Sequence, residues 1–358
     1  MIRVVCNTKF KLDPFGDGGS RRSVQIREIL DAIPCSFSDD GFVLPKNSGM
    51  VTLLRWACRS MVFINRYYPR RKIKTIGQYI GLIKYYALRL PVIYDRYAGT
   101  DTVFCWENTN DRDAVYLLKA TGCTVIGLPH NIESLVSGCA VEDFDAEMDA
   151  LRRCDAVFAI SKEETWLLRL MGINSAYLPY YPPSDVESFL RSIRAKRAGR
   201  TNNARRQFLL MGSATNIPTR LGMQTIIDQV PQDSEYDFIV AGYGTESLDC
   251  SGRSVKFLGP LSNRMFEELL VTVDAMLVYQ PPTTGALTRI PEMLISGIPV
   301  FANVDAARNF FGVNGLTVYD SFAELFRLLS EFEPCIPECP ARDLKASDSF
   351  VNVIQTAE

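Results

Sequence analysis

Residues 281–303, PPTTGALTRIPEMLISGIPVFAN, have the residue types and spacing of an anion site followed by a hydrogen-bonding carboxylate. We expect a strand to end at Gln280 and a helix to start near Thr288, because Pro291 lacks a backbone N–H and suits a first helical turn. Free amide groups and a positive dipole end favour a diphosphate there. Glu292 would repel phosphate, but its carboxylate can accept two hydrogen bonds from a ribose diol. The alternative interpretation is an ordinary capped helix.

His130 is the only histidine in the chain and lies in the segment GLPHNIESLVSG, residues 127–138. An imidazole titrates near neutral pH, so it can act as a general base, or it can hydrogen-bond a bound substrate. Glu107 and Glu133 are weaker candidates for the base, and we expect Glu107 to be a loop carboxylate in water. A lone histidine also fits an ordinary surface or core position.

Length and composition favour a soluble protein of two domains. The chain has 358 residues, of which 47% are hydrophobic and 22% charged, and its net charge of −2 indicates no particular partner. We find no apolar run of the roughly 18 residues that a membrane span needs, and the opening MIRVVCNTKF is typical of a first strand rather than a signal peptide. Ten irregularly spaced cysteines predict free thiols and no zinc site.

Short apolar runs alternate with helical patterns along the whole chain. Strands such as TVFCWEN and YDFIVAGYG are followed by amphipathic helices, and this order predicts an α/β fold with parallel sheets. The polar, basic stretch 182–207 interrupts the alternation and favours a domain boundary. We predict one Rossmann-like domain over residues 1–183, a second over 184–335, and a tail, 336–358, that crosses back to the first. Two such domains facing across a cleft bind ligands at the carboxyl ends of their strands.

Four segments, in their order along the chain, resemble the GT-B glycosyltransferases, specifically glycosyltransferase family 4 (glycosyl transferases group 1). They are LRRCDAVFAISKEETWLLRLMGI, VAGYGTESL, VKFLGPLSNRMFEELLVTVDAMLVYQP and TGALTRIPEMLISGIPVFAN. The resemblance extends over nearly the full length. It implies the GT-B fold, with an acceptor-binding N-terminal domain and a C-terminal domain that binds a nucleotide-diphospho sugar.

The resemblance also implies roles for residues at matching positions. Glu292 matches the second glutamate of the family's Glu–seven residues–Glu motif, which holds the donor ribose. His130 matches a histidine that contacts the donor sugar. The other implied cleft residues belong to the glycine loop after the first strand, to strand ends near the base and to the loop at the diphosphate or donor sugar: Gly18 and Gly19; Gly242, Gly244, Phe257, Leu258 and Gly259; and Thr284, Gly285, Ala286 and Leu287.

Three positions depart from the family's pattern. Thr284 replaces the first glutamate of the motif, which faces the donor sugar. Ser213 and Leu221 stand where an arginine and a lysine usually contact the diphosphate. Arg220 and Arg289 are the candidate substitutes for these cations. The departures put the identity of the sugar, or catalytic competence itself, in question.

The resemblance implies transfer with retention of anomeric configuration, with His130, Thr284 and Arg289 as the catalytic residues. A helix N-terminus and an arginine can stabilise a diphosphate leaving group, so we expect neither a metal nor another cofactor. Asp111 and Asp113 have the spacing of a metal-binding carboxylate pair, but their position at the start of a helix favours capping.

Residues 55–96 contain ten lysines or arginines and one acid, Asp95, among many aromatic residues. Such a surface suits anionic lipid headgroups, nucleic acid, an anionic polysaccharide, or simply a helix pair with solvated cations. We favour peripheral contact with the inner face of a membrane, and no nucleic-acid partner, for a cytoplasmic enzyme that acts on a glycan or lipid-linked acceptor in surface polysaccharide or lipopolysaccharide synthesis. The alternatives are a non-catalytic glycan- or partner-binding protein of the same fold and a sugar-nucleotide epimerase.

Overall fold

The computed structural model of the chain contains two parallel six-stranded sheets with helices packed on them. The α/β fold class predicted from the sequence is therefore confirmed. The structure describes residues 2–8, 10–39, 50–69, 72–136, 144–201, 204–249 and 251–356.

The first sheet has the strand order β2-β1-β3-β4-β5-β6. Its strands are β1 Ile2–Asn7, β2 Cys35–Asp39, β3 Thr102–Trp106, β4 Thr124–Gly127, β5 Ala156–Ala159 and β6 Ser175–Tyr177. Every residue of β3 is buried, as expected for a parallel strand covered by helices on both faces. The edge strand β2 has no counterpart among the predicted strands, because its sequence CSFSD contains few apolar residues.

Between β1 and β6, the described residues form seven α-helices. They are α1 Gly18–Asp31, α2 Met50–Tyr67, α3 Ile76–Arg89, α4 Tyr94–Tyr97, α5 Ala114–Ala120, α6 Phe144–Leu151 and α7 Lys162–Leu170. Helix α1 begins at Gly18, because the Asp17 carboxylate accepts a hydrogen bond from the Ser20 amide at 2.8 Å and caps the helix. No helix among the described residues is long and apolar enough to cross a bilayer.

The second sheet has the order β12-β11-β10-β7-β8-β9, the doubly wound arrangement of a Rossmann fold. Its strands are β7 Gln207–Met211, β8 Asp237–Ala241, β9 Val255–Gly259, β10 Ala275–Val278, β11 Val300–Asn303 and β12 Leu316–Tyr319. Its helices are α8 Ser184–Ala198, α9 Ile217–Gln229, α10 Asn263–Thr272, α11 Arg289–Ile295, α12 Val304–Ala307 and α13 Phe322–Glu331. Helix α8 occupies most of the basic stretch 182–207 and packs Val186, Leu190 and Ile193 into the core of this second half.

The polypeptide passes between the two halves twice. Residues 178–183 lead from β6 to α8, and residues 332–343 lead back to a final helix, α14 Leu344–Gln355. Helix α14 packs on the first sheet, where the Phe350 ring lies edge-on to Phe158 with centroids 5.1 Å apart. Where the two passages run together, Arg342 Nη2 donates to the Pro182 carbonyl at 3.3 Å. We call these two passages the crossing segments.

Candidate active site in the cleft between the sheets

His130 follows β4 and Gly242 follows β8, whereas Gly18, Gly19 and residues 284–292 lie near the places where each sheet reverses its strand order. Those places are the carboxyl ends of β1 and β3 in the first sheet and of β7 and β10 in the second, where open α/β sheets bind ligands. The two edges touch: a Cβ added to Gly18 would lie 3.1 Å from Thr288 Oγ1. The Thr284 hydroxyl also donates to the Ile132 carbonyl at 3.0 Å. The cleft is therefore closed, with loops of both halves in contact.

Glu292 is buried at the centre of this contact, 3% exposed, in the first turn of α11. It forms an ion pair with Arg21 of α1 and accepts a hydrogen bond from the Tyr180 hydroxyl. Burial alone would lower the pKa of Arg21, but the carboxylate of Glu292 raises it above its usual value. Burial and the same carboxylate raise the pKa of Tyr180. Both partners of Glu292 come from the first half of the chain, so its charge is balanced across the cleft.

Arg289 precedes Glu292 by three residues and has only neutral hydrogen-bond acceptors. Its guanidinium donates to the Met211 carbonyl at 3.3 Å, to Thr219 Oγ1 at 3.5 Å and to Gln280 Oε1 at 3.4 Å. Its Nε is buried without a hydrogen-bond partner, and burial lowers the pKa of Arg289 to about 10. A cation in this environment favours an anionic ligand, because burial of an unpaired charge is costly.

Helix α11 begins at Arg289, with Thr288 as its N-cap residue and Pro291 in its first turn. This agrees with the start expected from the proline, although the Thr288 side chain makes no capping hydrogen bond. In the preceding loop, the Gly285 amide donates to Glu164 Oε1 at 2.9 Å, and the same oxygen accepts from the Ile132 amide at 3.0 Å. Of the loop amides expected to face a diphosphate, that of Gly285 already has an anionic partner.

Glu164 thereby joins the His130 loop to the loop before α11. It is buried, and its desolvation raises its pKa although two backbone amides counteract the shift. Gly285 has φ +81° and a Cβ there would lie 2.0 Å from Asn131 Oδ1, so both its conformation and the close approach require glycine. Ala286 and Leu287 are half-buried, and Leu287 packs against the second core.

Two of the other predicted cleft glycines, Gly19 and Gly242, lie very close to neighbouring groups. A Cβ at Gly19 would lie 2.3 Å from the Phe10 ring, and one at Gly242 would lie 2.1 Å from the Gly212 carbonyl oxygen. Gly244 and Gly259 have φ of +75° and +64°, a region that favours glycine. The side chains of Phe257 and Leu258 pack on the second-half cores, on opposite faces of the sheet. Their contact with a nucleotide base remains a prediction.

His130 is held by a stack and lies beside a buried carboxylate. The Phe10 ring stacks on the imidazole with centroids 4.8 Å apart and planes at 23°. His130 Nε2 is buried without a hydrogen-bond partner and lies 3.6 Å from Glu107 Oε2. The stack fixes the orientation of the ring, and Nε2 faces the buried carboxylate of Glu107.

Glu107 is fully desolvated, so the expected loop carboxylate in water is wrong. Its oxygens accept from Arg27 at 2.6 Å and from Ser23 Oγ at 2.5 Å. Burial alone would raise the pKa of Glu107, but His130, Arg27 and Ser23 hold it at about 2. Glu107 follows the last residue of β3. Because the apolar strand ends there, a charged residue at this position was expected to lie in a solvated loop.

Replacing Glu107 by glutamine should destabilise the protein by ~3 kcal/mol at pH 7, since Arg27 loses its buried partner. The folded-state pKa lies below that of an unfolded glutamate, ~4.3. The stabilisation is therefore complete above about pH 5 and lost as pH falls towards 2. Urea unfolding between pH 7 and 3 measures it, with the exposed Glu163→Gln as the control. Equal acid sensitivity of wild type and Glu107→Gln would contradict this assignment.

Asp111 and Asp113 serve neither of the roles considered for them. Asp111 accepts from the Tyr85 hydroxyl at 2.6 Å, and Asp113 accepts from the Tyr68 hydroxyl at 2.9 Å. Asp113 precedes α5 but its side chain makes no capping hydrogen bond, so the expected capping is wrong. Within the described ranges, no group of three or more His, Cys, Asp or Glu residues could hold a metal ion.

Three partners in the cleft were not identified from the sequence. Arg21 follows the glycine loop directly, and an arginine in a first helical turn opposes the helix dipole, which was a usable signal. Tyr180 lies in LPYYPP, where nothing in the local pattern distinguishes it. Glu164 lies in the first turn of α7, and its contact with Gly285 depends on the closed cleft, which no local pattern predicts.

No family model matches the chain, and no curated protein matches it. Solved structures do match. HepE (Alr3699) from Anabaena, in complex with UDP-glucose, is 13% identical with a TM-score of 0.57 over 99% of this chain and 98% of that chain. Trehalose 6-phosphate synthase from Burkholderia multivorans is 10% identical, TM-score 0.61, over 99% and 96%. The catalytic domain of starch synthase IV from Arabidopsis thaliana, bound to ADP and acarbose, is 8% identical, TM-score 0.57, over 99% of both chains.

These similarities cover both sheets and the cleft between them. At such low identity they establish the fold, and they confirm the expectation of two Rossmann-like halves facing each other. The roles of individual residues rest on the geometry described above.

Proposed function

Since this chain has the GT-B fold, we propose that it is a glycosyltransferase that moves a sugar from a nucleotide-diphospho sugar to an acceptor hydroxyl. Three solved GT-B structures similar to it are complexes with UDP-glucose, with UDP and glucose, and with ADP and acarbose. The observation that carries the proposal is the presence of two different charged groups in the first turn of α11. Arg289 has no anionic partner, and the buried acid Glu292 follows it by three residues.

The donor would lie across the first turn of α11. Its diphosphate would face Arg289, which is preferred over Arg220 because Arg220 is exposed. Its ribose diol would donate to Glu292, and the Thr284–Ala286 loop would border the sugar. A buried arginine supplies the charge that stabilises the leaving diphosphate, so the proposed transfer uses no metal.

His130 would contact the donor sugar with its imidazole from the opposite side of the cleft. Phe10 and Glu107 fix the ring, which suits hydrogen bonding to a bound sugar. Retention of configuration remains the proposed outcome, with His130 positioning the sugar. Should the reaction invert configuration, the imidazole of His130 is the first candidate for a general base.

The proposed donor site is tested by its requirement for ribose. Glu292 would accept from both hydroxyls of the diol, so UDP should bind about tenfold more tightly than 2′-deoxy-UDP, and the same applies to the ADP and GDP pairs. Thermal-shift titration of these nucleotides and of UDP-glucose measures the affinities, because ligands that bind the folded state raise its melting temperature. Failure of every ribonucleotide to bind would refute the proposal.

A surface on α2 and α3 fits the proposed lipid-linked acceptor and peripheral contact with an anionic membrane. Leu54, Val62, Ile76 and Ile80 are exposed, the last three by 68%, 80% and 47%. They lie at helical spacing on their two helices, which pack together. The exposed cations around them are Arg55, Arg66, Lys74 and Lys84. Arg70 and Arg71, part of the same basic stretch, lie outside the described residues. Such a surface would place the enzyme at the cytoplasmic face.

The double variant Val62→Glu, Ile76→Glu should bind vesicles of phosphatidylglycerol and phosphatidylcholine at least about tenfold more weakly, since it removes apolar area and adds like charge. Co-sedimentation at low and physiological salt measures this. Leu170→Glu, on the exposed side of α7, is the matched control and should bind as wild type does. Equal binding by the double variant and the control would refute membrane contact through α2 and α3.

The alternative is a non-catalytic glycan- or partner-binding protein of the same fold. One observation favours it: the Gly285 amide and the Glu292 carboxylate, both assigned to the donor, hold first-half side chains in this structure. Turnover of UDP-glucose or another bound donor, by hydrolysis or transfer, distinguishes the two. A protein that binds the donor and never cleaves it would favour the alternative.

A further inference from the structure

Arg21 bridges the cleft to the acid that the ribose would use. Its Nη1 pairs with Glu292 and its Nε donates to the Gly16 carbonyl at 2.9 Å, so two acceptors hold the guanidinium. Arg21 and a ribose diol therefore compete for the same carboxylate. Binding of a ribonucleotide must release at least part of this ion pair.

The released guanidinium would then lie close to the donor's own charge. A Cβ at Gly18 would lie 3.1 Å from Thr288, so the first turn of α1 packs directly against the start of α11. Arg21 belongs to that turn, and Arg289, the proposed diphosphate partner, follows Thr288 in the chain. A diphosphate bound between them would be the nearest anion for a guanidinium that has lost Glu292.

The second half of the chain is short of cations for this task. Ser213 and Leu221 occupy the positions where basic residues were expected, and Arg289 is one guanidinium facing a dianionic or trianionic group. Electrostatic stabilisation of a diphosphate commonly uses several positive groups. A first-half arginine at the cleft would make up the deficit.

We propose that Arg21 is a donor-contacting residue that exchanges partners: it pairs with Glu292 in the empty cleft and with the diphosphate when the ribose takes Glu292. This inference rests on the proposed donor site and assigns to it a cation from the opposite domain. In this exchange the ion pair also makes nucleotide binding selective, because a nucleoside without phosphates gains the ribose contacts but leaves Arg21 without an anion.

The test compares UDP with uridine in wild type, Arg21→Gln and Arg21→Lys, or the diphosphate and nucleoside of whichever base binds. Uridine is measured by competition against UDP. In Arg21→Gln the affinity for UDP should fall about tenfold or more, while uridine binds as well as before or better, since its competitor for Glu292 is gone. Arg21→Lys should retain most of the UDP affinity. Arg264→Gln, an exposed arginine paired with Glu268, is the control for the loss of one positive charge.

Two results would overturn the exchange. Unchanged UDP affinity in Arg21→Gln would show that the guanidinium never meets the diphosphate. An equal loss for UDP and uridine would show that Arg21 merely holds the cleft closed. If wild type binds UDP and the ratio of UDP affinity to uridine affinity is the same in Arg21→Gln as in wild type, this inference alone is refuted. If wild type binds no nucleotide, the proposed function is refuted as well.

Discussion

Glu292→Gln should weaken binding of the nucleotide-sugar donor by ~100-fold, the largest loss we expect from a single conservative change. A buried carboxylate accepts two charge-assisted hydrogen bonds from a ribose diol, each worth ~1.5–3 kcal/mol, and an amide retains only part of one. The loss of these hydrogen bonds should raise the dissociation constant for UDP and the KM for the donor. The effect on kcat should be smaller, because the ribose is remote from the bond that breaks. Calorimetric titration with UDP measures the binding term.

Glu324→Gln is the matched control for this variant. Glu324 also lies in the first turn of a second-half helix, α13, where its amide is capped by Ser321. The melting temperatures of the two variants should lie within a few degrees of each other, apart from the stability that Glu292→Gln loses with its ion pair to Arg21. If Glu292→Gln binds UDP as tightly as Glu324→Gln does, the ribose does not use Glu292 and the proposed orientation of the donor is wrong.

His130→Ala should lower turnover of a bound donor by ~100-fold while leaving UDP affinity within about threefold of wild type. The imidazole would contact the sugar and the reacting centre rather than the nucleotide, so its removal costs transition-state stabilisation more than ground-state binding. Initial rates of donor hydrolysis or transfer, at saturating donor, measure the effect. Unchanged turnover in the variant would refute a catalytic role for His130.

His130→Gln separates hydrogen bonding from ring chemistry. A glutamine amide can reach a sugar hydroxyl but cannot titrate near neutral pH, so partial activity in this variant favours sugar positioning. Phe10→Leu removes the stacking partner and leaves the imidazole itself intact. Its expected effect is smaller, about tenfold in turnover, since the ring is then oriented only by its neighbours near Glu107.

The strands were predictable because each is a short apolar run between turn residues. Strand β3 is buried along its whole length and β8 nearly so, and both runs are evident in the sequence. The start of α11 was predictable for a similar reason, since Pro291 restricts where a helix can begin. Strand β2 was missed because its sequence CSFSD has few apolar residues, although it pairs in parallel with β1.

The partners of the site residues were not predictable, since they depend on how the two halves meet. Arg21 and Glu292 are 271 residues apart, and no local pattern relates them. The environment of Glu107 was likewise misjudged, because its desolvation comes from α1 and the His130 loop rather than from its neighbours in sequence. Local sequence indicates which groups can do chemistry, and tertiary packing determines which of these groups are already paired with other side chains.

The paired crossing segments determine how a substrate can enter. Two neighbouring connections join the halves, so the halves can rotate apart by a hinge motion about the line through both connections. Twisting or sliding would instead stretch one connection relative to the other. Such a swing separates Glu164 from Gly285 and Arg21 from Glu292 in a single movement. Entry of the proposed donor and release of the spent nucleotide would then require the same rotation in opposite directions.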